Sequence, residues 1–220
     1  MFSTWRTRLQ LALVDAWQRR GVYAWLLAPI AAVHWLAGRL LDFAYATNLR
    51  QPTRLDVPVV VIGNLYVGGT GKTPLAIELV RALAARGWRP AIVSRGYGAA
   101  TRRARVVAPS DSAQDVGDEP LLLARATGVP VAVGAARVAA AQLVRQQAPR
   151  CDVLVADDGL QHRALARDFE IAVLHYRGLG NGWLLPAGPL REPRNRLDTV
   201  DAIVEHGQVP AVAARARRYT

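Results

Sequence analysis

Cysteine is almost missing from this chain. Cys151 stands alone in 220 residues, which excludes an intramolecular disulfide framework and suits a reducing compartment. Its setting, R-C-D-V-L-V, reads as the start of a buried strand, where a thiol serves as a small apolar side chain. Lysine is equally scarce: of 28 basic residues only Lys72 is a lysine. A bias toward arginine accounts for the others and makes the survivor informative, because a compact ammonium and a guanidinium fork are not interchangeable. Internal repeats and low-complexity tracts are absent. A formal charge of +11 asks for an anionic partner, yet the arginines are scattered and no aromatic–basic module such as an RNP motif is present. Nucleic acid is therefore disfavoured, leaving a membrane surface or a phosphorylated substrate.

What is present divides unevenly. With 51% hydrophobic residues the chain can bury a sizeable core, as one domain with an appendage. The appendage is residues 1–50, where Trp5, Trp17, Tyr23, Trp25, Trp35 and Phe43 crowd together with Arg6, Arg8, Arg19, Arg20 and Arg39. Between Arg20 and Arg39 lie 18 residues without a formal charge, interrupted by Pro29 and His34. No small-residue cleavage site follows, so a secretory signal does not fit. The run is marginal for a spanning helix, which needs about 20 apolar residues. Aromatic rings flanked by arginines suit an element in the headgroup zone of a bilayer. Interfacial helices, a single span and a helical hairpin on the core all stay open for this segment.

After Gln51–Arg54 the pattern alternates strand and helix. Val57–Ile62 is a continuous β-branched run, expected for a central parallel strand. Pro74–Arg86 carries helical spacing and stops at Gly87. Strands are expected at Pro90–Ser94, Val129–Val133, Val153–Ala156, Glu170–Leu174 and Ala202–Val204, with a short one near 102–107. Helices are expected at Glu119–Thr127 and Val138–Gln147. The fold class is thus α/β: a mostly parallel sheet covered by helices on both faces, with ligands at the carboxyl ends of the strands.

Four polar motifs sit at such ends. The first is V-G-G-T-G-K-T, where Gly68, Gly69, Thr70 and Gly71 follow a buried strand and lead into a helix. Backbone N–H groups there point at anionic oxygens, helped by the helix dipole. Lys72 would reach the β- and γ-phosphates of a nucleotide, and Thr73 would offer a hydroxyl to Mg²⁺. The usual G-x-x-x-x-G-K-[ST] pattern wants glycine where this chain has Tyr66. Asp157 and Asp158 end an apolar strand, where a carboxylate serves Mg²⁺ directly or through water, or else caps a turn. In V-G-D-E-P, Asp118 and Glu119 either cap a helix or, facing a γ-phosphate, let Asp118 take a proton from an attacking hydroxyl. The fourth, G-N-G-W-L-L-P-A-G-P-L-R-E-P, is a long loop carrying Arg191 and Glu192, of a length that is more often functional than decorative.

Taken together with S-R-G-Y-G and D-D-G-L-Q-H, in this order and spacing, these motifs resemble the tetraacyldisaccharide 4′-kinases, the lipid A 4′-kinases of Gram-negative bacteria. The likeness runs from about Trp5 to Pro210, and the family also lacks the first glycine of the loop. It implies a P-loop NTPase-like kinase domain over 51–220 behind a membrane-associated helical segment, 1–50. It implies transfer of the γ-phosphoryl of ATP, with Mg²⁺, to the 4′-hydroxyl of a tetraacyl glucosamine disaccharide 1-phosphate. The expected place is the cytoplasmic face of the inner membrane, with the lipid acceptor and the membrane surface as partners, and with no nucleic acid or protein partner inferred. The phosphate loop maps to Gly68–Thr73, the activating carboxylate to Asp118, the cation-side pair to Asp157 and Asp158, and the long-loop pair to Arg191 and Glu192. Arg95 and Tyr97 of S-R-G-Y-G, with Glu119, are candidates for the acceptor.

Two departures stand out. His175 occupies a strand end where the family usually has aspartate. Family members also continue into a second lobe whose histidine pairs with the carboxylate at Asp118, whereas this sequence ends at Thr220, and His34, His162, His175 and His206 do not match that motif. Two other readings follow: a nucleotide-binding, catalytically impaired membrane-associated protein, or a partition-type P-loop ATPase. The latter would need a second lysine early in the loop, which this chain lacks.

Overall fold

The computed structural model describes residues 17–96, 103–212 and 214–220. Tyr97, Trp5, Arg6 and Arg8, named above, lie outside the described residues. The chain forms two compact units. The first comprises 1–49, 64–70 and 173–220; the second comprises 50–63 and 71–172.

The second unit is built on parallel strands: β1 (Val59–Gly63), β2 (Pro90–Ser94), β4 (Val131–Val133), β5 (Val153–Asp157) and the first half of β6 (Phe169–His175). The order is β3-β4-β2-β5-β1-β6, and the short β3 (Arg105–Val106) runs antiparallel on β4. Five consecutive residues of β2, and five of β5, are all buried. Successive strand residues face opposite sides, so both faces of the sheet are covered, as a parallel sheet requires. The covering helices are α2 (Lys72–Ala85), α4 (Asp118–Thr127) and α5 (Arg137–Gln147), with α2 beside α4 and α5 against β2, β3 and β4. Val80, Ala76, Leu123, Ala140 and Val144 are among the apolar residues these helices bury, each large one contributing roughly 1.5–3 kcal/mol.

Most expected elements appear with shifted ends. Helix α2 begins at Lys72 rather than Pro74, so Pro74 still falls in the first turn, where its missing N–H costs nothing. The loose stretch before α4 holds a four-residue helix, α3 (Ala113–Val116), closed by a capping box between Ser112 and Asp115.

The first unit contains helix α1 (Val22–Ala46), the strands β7 (Ala202–His206) and β8 (Arg217–Tyr219), which pair in parallel, and the long loop 180–192. β8 was not legible from R-A-R-R-Y-T. Helix α1 has 25 residues with Pro29 inside, and of these only Ala24 and Ala31 are buried. The loop is ordered by its own polar groups: Asn181 Nδ2 donates to Ala187 O (3.0 Å), and Trp183 N donates to Asn181 Oδ1 (3.0 Å). Trp183 meets Trp25 of α1 edge-on, with ring centroids 4.8 Å apart, and Trp17 Nε1 donates to Pro186 O (3.0 Å).

At the carboxyl end of β1, Gly63 leaves room for Leu160: a Cβ there would lie 2.6 Å from Leu160 Cγ. Gly63→Ala is therefore expected to cost about 1–3 kcal/mol in urea unfolding. Combined with Leu160→Ala, the double variant should be less destabilised than the two single costs added together; strict additivity would show that the contact is not limiting.

Candidate active site

Strand register brings the first two parts of the site together. Ile62 pairs with Asp157 across β1 and β5, so the strand that launches the glycine loop ends beside the acidic pair. The loop then leaves β1 through Asn64, whose Nδ2 donates to Tyr66 O and Gly68 O. These bonds fold residues 64–68 into a tight arch. Gly68 and Gly71 take φ of 110° and 85°, a region that other residues rarely enter. Gly71 caps α2 in the left-handed conformation, so Lys72 becomes the first helical residue at the positive end of the dipole.

Lys72 is buried, and its Nζ lies 3.4 Å from Asp158 Oδ1. Asp158 reaches it because its backbone turns left-handed (φ 51°) as it leaves β5, a conformation that aspartate tolerates better than most residues. Asp157 points elsewhere. It is 1% exposed, and among the described residues neither carboxylate oxygen has a hydrogen-bond partner. Burial, then the negative charge of Glu119, pushes its pKa up to about 7, opposed by Lys72.

Arg137, at the start of α5, is 2% exposed and sits behind the pair. It donates to Gly134 O (2.9 Å) and to the main-chain oxygens of Asp157 (3.4 Å) and Asp158 (3.5 Å). Burial lowers its pKa to about 10 and leaves it charged at neutral pH, supported by Asp158 and Asp157. It holds the acidic turn in place through its backbone. The sequence motifs did not reveal it, since an arginine in G-A-A-R-V-A-A resembles any helix arginine. His162, in the same unit, is driven down to about 4 by burial and by the charges of Arg137 and Arg95, so it is neutral at pH 7.

Asp118 and Glu119 occupy the first turn of α4, behind Gly117 as N-cap, and neither side chain caps the helix. Both are exposed. Arg191 and Glu192 belong to the first unit, as does the arch 64–70. There Arg191 N donates to Leu65 O (2.8 Å), and buried Glu192 lies 3.9 Å from Arg196. Tyr66 occupies the position of the missing loop glycine, and its hydroxyl accepts from Gln18 Nε2 (3.0 Å). His175 packs against the Tyr66 ring at 5.0 Å.

Among the described residues no group of three or more His, Cys, Asp or Glu side chains could cage a metal. Two carboxylates, one of them buried and without a donor among the described residues, have the oxygen-donor chemistry that suits a hard divalent cation.

The family model described as tetraacyldisaccharide-1-P 4′-kinase matches residues 23–219. The chain belongs to this family. Tetraacyldisaccharide 4′-kinase of Bordetella parapertussis is 53% identical over 207 residues, covering 94% of this chain and 60% of that protein. That of Acidovorax sp. (strain JS42) is 50% identical over 202 residues, covering 92% and 59%. A crystal structure of LpxK from Aquifex aeolicus in complex with ATP superposes with a TM-score of 0.80 at 30% identity, covering 89% of this chain and 63% of that one. The chain thus spans about three fifths of the length of the curated relatives it matches.

The buried aspartate has a measurable signature. Because folding raises its pKa from 3.8 to about 7, the folded chain keeps a proton that the unfolded chain has released across that window. Stability is therefore lost as pH rises through it. Without divalent cations, Asp157→Asn should raise Tm at pH 8 by roughly 5 °C or more and leave it nearly unchanged only near about pH 3.5, below the window, with a smaller rise than at pH 8 when measured at pH 5. An equal shift at the two ends of this range would contradict the raised pKa.

Proposed function

We propose that this chain carries the nucleotide site of an acyl-sugar kinase, transferring the γ-phosphoryl of ATP to the 4′-hydroxyl of a tetraacyl glucosamine disaccharide 1-phosphate. The observation that carries this reading is the arrangement of Lys72 against Asp158 beside the buried, donorless Asp157, at the mouth of a glycine loop. Family membership supplies the acceptor class.

In this reading the loop amides of Gly68–Thr73 hold the β- and γ-phosphates, and Lys72 leaves Asp158 to meet the γ-phosphate oxygens. Asp157, Asp158 and Thr73 would hold Mg²⁺, which neutralises phosphate charge when bound. Arg137 keeps the acidic turn fixed. Exposed Asp118, at the positive end of α4, accepts the proton of the sugar hydroxyl, with Glu119 beside it. Arg191, whose backbone N–H holds the arch, and Glu192 are candidates for contacting the acceptor, as are Arg95 and Tyr97 on the family resemblance.

Helix α1 adds the membrane. Tyr23, Trp25, Leu26, Val33 and Leu40 are each more than 60% exposed, a stretch of apolar surface that water does not favour. By length and composition the helix could cross a bilayer. We infer that it sits in or across the inner membrane with the kinase unit on the cytoplasmic side, so that the acyl chains stay in lipid while the sugar enters the site. Replacing Leu26, Val33 and Leu40 with glutamine is expected to move the chain from the membrane to the soluble fraction. Unchanged sedimentation with membranes would remove the helix from this role.

Catalysis is checked with radiolabelled ATP and the disaccharide 1-phosphate. Lys72→Ala and Asp118→Ala should each lower transfer at least a hundredfold, Lys72→Ala with weakened ATP binding and Asp118→Ala without it. Transfer unaffected by either variant would sink the assignment. ATP binding with no transfer would make the chain the nucleotide-holding part of a longer enzyme, a reading favoured by its three-fifths coverage of the relatives.

A further inference from the structure

The glycine loop is not held at its tip. Apart from its chain neighbours, a Cβ added at Gly68 or Gly69 would meet no atom within 4 Å. Glycine loses more backbone freedom on ordering than any other residue, so a loop this open must have its shape imposed from its base. That base is the arch 64–68, and its outer partner is the long loop. Val67 N donates to Pro189 O (2.9 Å) and Arg191 N to Leu65 O (2.8 Å), with Tyr66 and Leu190 forming an antiparallel bridge between them.

The long loop is gripped in turn by the N-terminal segment. In α1 the His34 ring reaches Arg191, whose main-chain oxygen accepts from Nε2 (3.1 Å). Because a carbonyl only accepts, this bond needs the proton on Nε2. One peptide backbone thus carries both links, Arg191 O to α1 and Arg191 N to the arch. Ahead of α1, Gln18 Nε2 donates to the Tyr66 hydroxyl (3.0 Å), and Trp17 O accepts from Asn181 N (2.7 Å). All of these residues belong to the first unit.

We propose that α1 has a task beside its membrane one: it is the outer jaw of a clasp that sets the phosphate loop, with His34 as a positioning residue for nucleotide binding that acts on Leu65 through the Arg191 main chain. The inference rests on the nucleotide reading of the loop given above.

The surface chemistry of α1 suits both tasks. Its two buried residues, Ala24 and Ala31, are small and lie two turns apart on one face, which lets the helix backbone come close to its support. His34 follows Ala31 by three positions and leaves the helix on the flank of that face. An imidazole in a run without formal charge is costly beside lipid unless it meets a partner, and Arg191 O is that partner. Exposed Leu26, Val33 and Leu40 recur every seven residues on the opposite side. A bilayer and the long loop can therefore hold the helix at the same time. Displacing α1 would loosen the glycine loop, and by linkage a bound nucleotide would hold α1 down by the same factor.

The test needs no turnover. The full chain in neutral-detergent micelles is titrated with a fluorescent ATP analogue and Mg²⁺, and amide hydrogen exchange at Gly68–Thr70 is measured without nucleotide. His34→Leu is expected to weaken analogue binding about fivefold and to speed exchange at 68–70 by a similar factor, with Tm unchanged. His34→Gln, whose Nε2 still donates, should restore both. Gln18→Leu cuts the tie to Tyr66 and should reproduce the loss; it decides alone if His34→Leu lowers Tm. Val22→Gln, a polar change on the outward side of the same helix, should alter neither reading. A loss that glutamine at position 34 does not restore, or affinity and exchange that His34→Leu and Gln18→Leu both leave unmoved, would overturn the proposal. A chain that binds no analogue yet shows the exchange differences would refute the nucleotide reading and leave the clasp standing; analogue binding indifferent to both variants would do the reverse.

Discussion

A buried carboxylate that no donor among the described residues answers is the constraint on which the rest of the site depends. Asp157 sits at the end of β5 because the strand is apolar up to that residue and the sheet covers it on both faces. Leaving such a group ionised is costly in a low-dielectric interior. The surroundings balance that cost only in part: Lys72 opposes the raised pKa, Glu119 reinforces it, and Arg137 holds the backbone of the acidic turn rather than its carboxylates. A site kept short of compensation in this way is ready for a cation and an anion arriving together.

The neighbouring residue shows how one turn separates two roles. Asp157 and Asp158 are identical in chemistry, yet β-strand geometry buries the first, and a left-handed turn aims the second at Lys72. Two carboxylates in sequence thus acquire different proton affinities and different partners from backbone conformation alone. In the first unit the same economy appears in Trp183, whose indole faces Trp25 and supports Arg20. Tyr66 plays a comparable part: the side chain that replaces a loop glycine is buried and fixed through its hydroxyl to Gln18.

Much of the second unit was legible before any coordinates. Val59–Gly63 and Val153–Asp157 announce themselves as unbroken apolar runs because parallel strands are buried on both faces. The glycine loop and its lysine were legible because phosphate binding demands a left-handed, side-chain-free backbone ahead of a helix start. Helix ends were less so: α2 gained two residues at its start because Gly71 caps it from a left-handed conformation that sequence only permits. The cap alternative for Asp118 and Glu119 gave way to Gly117, while Ser112 and Asp115 formed the capping box.

The sequence by itself determined the alternation of elements, the loop chemistry and the family, since periodicity, glycine placement and ordered motifs are local properties of the chain. The pairing of Ile62 with Asp157, the ion pair between Lys72 and Asp158 and the bracing of the acidic turn by Arg137 were decided only by tertiary structure. Each of these joins residues distant in the chain, 95 positions apart for Ile62 and Asp157. Such contacts follow from strand register and helix packing, which depend on how all the apolar faces are buried at once.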